Sequence, residues 1–574
     1  MPPLTILRAA PKQARTAKDD PREHLEAPDL LNLCCYDMAL ALMLALSAPH
    51  GSIPVTIGGL VTTVEPSFVA HGWEPWMATQ AFQFFDDPAL TTAFGHLRGQ
   101  TVRFGGITAD WLDYVVDDAV SAPCLWGKQG RTPFTANGAC PFSTGALDAL
   151  LGLLKNAGIG LLFDLNVLVG RNCTQPEPHR RRTIVGKGVP GEWCGASPAP
   201  WNTSAVRALL EHIRGSGNSG ALTPERFAGV ELGNELFAPQ HITRHTANAD
   251  IATAADLLRS VWGGNAPPRM YATGTNDCQR CNNSDTMAAL LPSKLGVRGG
   301  FSWHSYPGNA QTYWNKSDLT SFLLNSTWLR HDVVSRTAPC LRAWNSGPRA
   351  AGVWAAVTEA AAMCGGDFAP GDPTTSSFIH GFFSVAQLGQ FAREGVALLA
   401  RWGIPQLLGL DFRRVPAGTP WDPASVAADL FLYVLYNQTV GRRVLEVSGD
   451  AASDALVYAH CAKAGNNGSV TLMAANPSAV ATTLSLSLPA RPRLEYVLTP
   501  SSGNLSSRTP VLNGNAAQPL RLAADGSLPP MPAAYCSGGG ACAEAITLPP
   551  RSWAFFVLLG ARANMACGQG QLVG

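Results

Sequence analysis

Two glutamates in this chain stand where a hydrolytic pair of carboxyls would be wanted. Phe227-Ala-Gly-Val-Glu-Leu232 reads as a short buried strand that turns on Gly233 into Asn234-Glu235. A second apolar run, Gly352-Val-Trp-Ala-Ala-Val-Thr-Glu359, ends in Glu359 and is followed by small residues and Gly365-Gly366. The C-terminal mouth of a parallel strand is where a (β/α)8 barrel holds its chemistry. Two carboxyls facing each other across such a mouth hydrolyse a glycosidic bond, with retention when they stand roughly 5 Å apart and with inversion at about 6.5–9.5 Å. A single glutamate after a strand is more often a solvated charge or a helix N-terminal residue. The pair carries the reading, and Asn234 adds a side chain able to hold a sugar hydroxyl beside the acid.

The elements that would position these groups follow in order. Phe68–Trp76 is predicted as the first barrel strand, ending at Trp73-Glu74, and Thr101–Gly106 as the second, its two glycines letting backbone approach a ligand. Ile159–Asn166 is the third, Phe227–Leu232 the fourth, Met270–Thr273 the fifth, Phe301–Tyr306 the sixth, Gly352–Glu359 the seventh and Arg401–Leu410 the eighth. Helices are expected over Thr144–Asn156, near Ser204–Arg214, over Phe378–Glu394 as an amphipathic helix, and over Ala424–Tyr436. His304 and Tyr306 would reach the mouth from the sixth strand. Such a tyrosine either donates to an ionised nucleophile or simply packs at a strand end.

From about Asp411 the pattern changes to alternating segments, Leu456–His460, Ser469–Ala474, Thr482–Leu488 and Trp553–Leu559, divided by Gly, Asn, Pro and Ser turns. These predict a β-sandwich. The strand-like Ile53–Val64 is assigned to it as an added strand. The expected organisation is a leader over 1–50, a sandwich strand within 51–66, an α/β (β/α)8 catalytic barrel over 67–410 and a C-terminal β-sandwich over 411–574.

Composition narrows the class. The formal net charge is +1 and charged residues are 14% of the 574, against about 25% in ordinary chains, which argues against a nucleic-acid partner. The basic run His179-Arg180-Arg181-Arg182 reads first as a solvated loop, with contact to an anionic polysaccharide as the alternative. The 14 cysteines are scattered, and the one CxxC, Cys278–Cys281, has no second pair to make a metal site, so no metal is expected. Cys124 and Cys140 bracket a Gly-rich loop that a disulfide would tie. Sequons stand at Asn172, Asn202, Asn282, Asn315, Asn325, Asn437, Asn467 and Asn504. With the cysteines they favour a secretory route. The apolar run Met38–Ala48 before Pro49 reads as a signal-peptide core behind an overlong start, and the alternative is a short membrane anchor.

The ordered set Arg103-Phe-Gly-Gly106, Leu162-Phe-Asp-Leu-Asn166, Glu231-Leu-Gly-Asn-Glu235, Trp303-His-Ser-Tyr306, Glu359 with Gly365-Gly366, Val457–Cys461, Leu512-Asn-Gly514 and Leu548–Ser552 resembles glycoside hydrolase family 79, the heparanase and plant heparanase-like β-glucuronidase group. The resemblance implies Glu235 as acid/base, Glu359 as nucleophile and Asn234 beside the acid. It also implies His304, Tyr306 and Glu74 as sugar contacts, and backbone N–H groups of Gly365-Gly366 on a uronate carboxylate. Glu74 stands where relatives have Asp. Leu430, in Asp429-Leu430-Phe431, stands where relatives have a Tyr that helps to bind the carboxylate, which weakens the expectation of glucuronate preference. The chain lacks the long basic insertion excised from animal heparanase, so a single-chain enzyme is expected.

The sequence therefore predicts a secreted, retaining β-glucuronidase that needs no cofactor. Its expected substrate is a glucuronic-acid-bearing polysaccharide, proteoglycan or glycoside, and it is expected to act as a monomer in the extracellular matrix, cell wall, vacuole or lysosome, or from a membrane anchor. The rivals are a β-glycosidase of different sugar specificity and an inactive polysaccharide-binding or matrix protein.

Overall fold

The computed structural model describes residues 52–117, 140–167, 200–215, 226–235, 244–263, 267–273, 284–309, 316–335, 337–364, 376–410, 420–449, 454–463, 468–488, 491–537, 545–561 and 567. The leader, His179–Arg182, Cys278–Cys281 and Gly365-Gly366 lie outside them. An added strand, β1 (Ile53–Thr63), precedes eight parallel strands: β2 (Val69–Trp73), β3 (Thr101–Phe104), β4 (Gly160–Leu165), β5 (Phe227–Leu232), β6 (Met270–Thr273), β7 (Gly299–Ser305), β8 (Trp354–Ala360) and β9 (Leu398–Trp402). The eight close in sequence order, β9 pairing back onto β2. The α/β barrel predicted from the apolar runs is the observed fold.

Alternation along the strands sorts the side chains. Ala70, Leu162, Tyr271, Ala356, Leu398 and Ala400 form a small apolar cluster inside the barrel, while Val102, Phe104, Leu161, Phe163, Val230, Phe301, Val357 and Leu399 belong to the large core outside it. The outer core is completed by helices α1 (Thr144–Ala157), α2 (Ser204–Gly215), α3 (Arg244–Trp262), α4 (His380–Glu394) and α5 (Asp429–Thr439). Ser143 caps α1 by accepting the Ala146 N–H at 3.0 Å, and left-handed Gly158 ends it.

Three expectations are corrected. The eighth strand is Leu398–Trp402, and the apolar run after it is a short helix, Ile404–Leu407, with Pro405 in its first turn, where a missing N–H is harmless. Helix α4 is buried on nearly every side, because it lies between the barrel and the second sheet. The helix predicted from Ala424 begins at Asp429, after a separate one-turn helix Pro423–Ser425 capped by Asp422.

The C-terminal strands are β10 (Val440–Gly449), β11 (Leu456–Ala462), β12 (Val470–Asn476), β13 (Thr482–Leu486), β14 (Arg493–Pro500), β15 (Pro510–Leu512), β16 (Ala534–Cys536), β17 (Ala545–Leu548) and β18 (Ser552–Leu558). With β1 they form one mixed sheet in the order β15-β14-β18-β12-β11-β10-β1-β13-β17, with β16 also on β14. β1 runs antiparallel to β10 and parallel to β13, so the N-terminal strand completes the sheet. One end of the sheet folds over the rest, packing Leu484, Ile546 and Leu548 with Val55, Leu445, Leu472 and Phe556. The other face places Tyr458, Met473, Trp553 and Phe555 in the core shared with the barrel. Rings from it press on α4 at Gly381 and Gly389, where a Cβ would come within 2.6 Å of Trp553 and 2.1 Å of Tyr458. A disulfide joins Cys461 of β11 to Cys567. Cys140 is also disulfide-bonded, while Cys124 lies outside the described residues.

Candidate active site

Above the apolar layer, the inward positions of the same strands turn polar. Arg103 from β3, Asp164 from β4, Glu231 from β5 and Ser302 and His304 from β7 are all buried, and Glu359 from β8 has an 8% exposed side chain. Arg103 holds the group together. Its Nε donates to Glu231 at 2.7 Å, Nη1 to Glu359 at 2.6 Å, and Nη2 to Asp164 at 3.3 Å and to Asn234 Oδ1 at 2.9 Å. Ser302 supports the second oxygen of Glu231 at 2.7 Å.

Glu359 has both oxygens occupied by donors, Arg103 on Oε1 and the Tyr306 hydroxyl on Oε2 at 2.6 Å. His304 Nδ1 bridges the two predicted carboxyls, 2.8 Å from Glu235 Oε1 and 3.3 Å from Glu359 Oε2. One oxygen of each glutamate and that nitrogen all lie within 4.8 Å of one another. Glu235, at 22% side-chain exposure, is the more open of the two. Its backbone is left-handed, φ 48°, just after Gly233 at φ 67°.

Electrostatics separate the groups. Burial raises Glu235 above the ordinary carboxylate range, and nearby Glu359 adds to this against the opposing contact with His304. Burial would lower His304, but Glu359 and Glu235 outweigh it and the net shift is upward. Glu74 is pushed up to about 8, first by burial and then by the Glu359 charge, against the Thr108 N–H and hydroxyl that donate to its Oε1 at 2.7 and 2.9 Å. Burial also raises Asp110 and Asp164 well above their usual values. Among the described residues of the mouth, Glu74, Asp110, Asp164 and Glu235 are thus all shifted toward keeping a proton, with burial the first cause in each.

The chain's similarity to known proteins follows this geometry. It is 24% identical over 548 residues to a hyaluronoglucuronidase of Hirudo nipponia, spanning 90% of this chain and 99% of that protein. It is 24% identical over 557 residues to a heparanase of Mus musculus, spanning 87% and 91%. No protein-family model matches it. The solved structure of a 4-O-α-L-rhamnosyl-β-D-glucuronidase from Fusarium oxysporum superposes with a TM-score of 0.58 over 88% of this chain and 100% of that one, at 15% identity, a likeness of fold. The chain resembles heparanases and glucuronidases along nearly its whole length.

The structure thus brings Asn234, Glu235, His304, Tyr306, Glu359 and Glu74 to one mouth. Two sequence expectations change. Gly105 and Gly106 make room for protein groups: a Cβ on Gly105 would lie 2.6 Å from Arg103 and from Asp164, and one on Gly106 2.1 Å from Glu74. Leu430 is fully buried in the outer core, not at the mouth. Its neighbour Asp429 is bound by Arg401 at 2.8 and 3.1 Å and by His380 at 3.0 Å, and Arg401 points outward from β9, opposite to inward Leu398 and Ala400. The sequence alone does not assign Arg103, Asp110, Asp164 or Glu231 to the site. The available signal is a charge inside a strand that is otherwise apolar.

Proposed function

We propose that this chain is a glycoside hydrolase that cleaves β-glucuronide linkages in glucuronic-acid-bearing glycans or glycosides, with retention at the anomeric carbon. The observation that carries the reading is Glu235 and Glu359 at one barrel mouth with oxygens within 4.8 Å, in a chain similar over 90% and 87% of its length to a hyaluronoglucuronidase and a heparanase. Arg103 and the Tyr306 hydroxyl each donate to one oxygen of Glu359 and orient it as the nucleophile that attacks the anomeric carbon. Glu235, raised by burial, gives its proton to the leaving oxygen and then takes one from the water that releases the sugar. Proton transfer and nucleophile both come from carboxyls, so the chemistry requires neither metal nor organic cofactor. Asn234 and His304 orient the sugar and the acid, Glu74 meets a sugar hydroxyl through Oε2, and Gly365-Gly366 take the uronate carboxylate.

One observation favours a second reading, a neutral β-glycoside substrate: among the described residues, the basic side chains at the mouth, Arg103 and His304, are both already engaged by carboxylates. Turnover of 4-nitrophenyl β-glucuronide against the β-glucoside, by wild type and by Glu359→Gln, separates the two. Glucuronide turnover lost in the variant supports the first reading, glucoside turnover alone the second, and neither would favour a non-catalytic polysaccharide-binding protein. NMR of the first-formed anomer tests retention, and an α product from a β-glucuronide would refute it.

The reading includes secretion as a glycoprotein and action as a monomer, with membrane anchorage through the leader as the alternative. Cys140, Cys340, Cys461, Cys536 and Cys567 are disulfide-bonded, which suits an oxidising compartment. The described sequons divide by geometry. Asn202, Asn325 and Asn504 are exposed and use Oδ1 to accept a nearby backbone N–H, whereas Asn437 spends Nδ2, the nitrogen a glycan would occupy, on Arg98 O at 2.9 Å. Peptide mass spectrometry after enzymatic deglycosylation in heavy-oxygen water should show Asn202, Asn325 and Asn504 converted and Asn437 not. No conversion at any site would count against the secretory reading.

A further inference from the structure

We propose that Asp110 is a positioning residue for the acid/base, aiming Glu235 by clamping the backbone N–H of Asn234. The proposal rests on the assignment of Glu235 as the acid. Asp110 lies in the one-turn helix Ile107–Trp111 that follows Gly106, and it is 1% exposed. Its Oδ1 and Oδ2 lie 3.1 and 3.2 Å from the same donor, Asn234 N–H.

A fully buried carboxyl is costly to keep unless a geometry depends on it, and the geometry here is unusual. Glu235 sits at φ 48°, a conformation that costs a side-chain-bearing residue about 1–2 kcal/mol and persists only where its surroundings fix it. The residue before it is gripped at both ends by one short segment of chain. Arg103 Nη2 holds the Asn234 side chain at 2.9 Å, and Asp110, on the loop leaving the same strand, holds its backbone. Arg103 Nη1 meanwhile fixes Glu359 at 2.6 Å. Segment 103–110 therefore ties the position of the acid to that of the nucleophile. Among the described residues, His304 also steadies the Glu235 side chain, at 2.8 Å. Releasing the Asn234 N–H frees the turn to relax and swings the acid away from the leaving oxygen, while Arg103 still holds the Asn234 side chain and the other sugar contacts stay in place.

Leaving-group dependence tests this, because a poor leaving group needs a well-placed proton and a good one does not. On phenyl β-glucuronide, Asp110→Ala should lose about tenfold more kcat than on 4-nitrophenyl β-glucuronide, with KM on each within about twofold of wild type. Asp110→Asn, which keeps one acceptor oxygen, should show a smaller gap of about threefold. Equal losses on the two substrates, with or without a fall in Tm, would overturn the proposal by reducing Asp110 to a structural role. If the alanine variant does not fold, a wild-type ratio in Asp110→Asn overturns it instead. Glu235→Gln, measured alongside, separates the failures: no gap there defeats the acid assignment itself, whereas a gap there and none in Asp110→Ala defeats this inference alone.

Discussion

Glu359 receives a guanidinium on one oxygen and a phenol on the other, both at 2.6 Å, and each donor helps to orient the carboxylate for attack. Tyr306→Phe removes the neutral donor and leaves the cation. A hydrogen bond to a charged group contributes about 1.5–3 kcal/mol, so kcat on 4-nitrophenyl β-glucuronide should fall roughly ten- to a hundredfold. An unchanged kcat would mean that the phenol only packs. Glu235, raised by burial, keeps its proton above the ordinary carboxylate range, so the alkaline limb of the kcat/KM profile should be set by it and should flatten in Glu235→Gln. These residues are legible in the sequence because each ends or follows an apolar run. Arg103 is not, because its partner Glu359 is 256 positions away. Only closure of the barrel makes them neighbours, and no local pattern records that pairing. Asp110 is hidden for a related reason: its role is to hold a backbone N–H, which leaves no trace in residue type.

At the scale of elements, apolar runs locate the first seven strands because a parallel strand buried on both faces is nearly continuous in hydrophobic residues, while the eighth, Leu398–Trp402, is overlapped only at Arg401-Trp402. The errors arise where an apolar run continues past the strand, as at Ile404–Leu407, or where burial on both sides conceals a helical period, as in α4. The added strand β1 is legible through its separation from the barrel run. Side-chain direction is not, and Leu430 illustrates the consequence. Asp429 starts α5 and locks onto Arg401 on the outer face of β9, which carries Leu430 into the core between barrel and sheet. A tyrosine there cannot reach a sugar. Leu430→Tyr should overpack that core and cost about 1–3 kcal/mol in urea denaturation. The ratio of glucuronide to glucoside turnover should remain as in wild type, and a rise in glucuronide preference would place this residue at the site after all.

At the scale of the whole molecule, the barrel mouth is where acidic groups accumulate, and that shapes stability against pH. Glu74 is held at about 8 in the folded protein, by burial and by the Glu359 charge, against 4.5 for an ordinary glutamate. Between those values the folded state binds a proton that the unfolded chain does not. Its contribution is therefore fully present at low pH and is lost as pH rises toward 8. Asp110 and Asp164, also raised by burial, add with the same sign. His71 and His460, buried and lowered to about 4, work the other way. They draw protons into the unfolded chain as pH falls from about 6.5 toward 4, which erodes stability in that window. The two effects barely overlap above pH 6.5, so acidification from pH 8 to 6.5 should stabilise the protein at up to about 1.4 kcal/mol per pH unit for one proton. Glu74→Gln imitates the protonated acid and keeps the acceptor for Thr108, and it should flatten that part of the slope. Urea denaturation of both proteins at pH 6.5 and 8 is the decisive comparison. An equal slope in the variant would show that the proton resides elsewhere, and no slope in the wild type would show that the folded mouth carries its negative charge without taking one up.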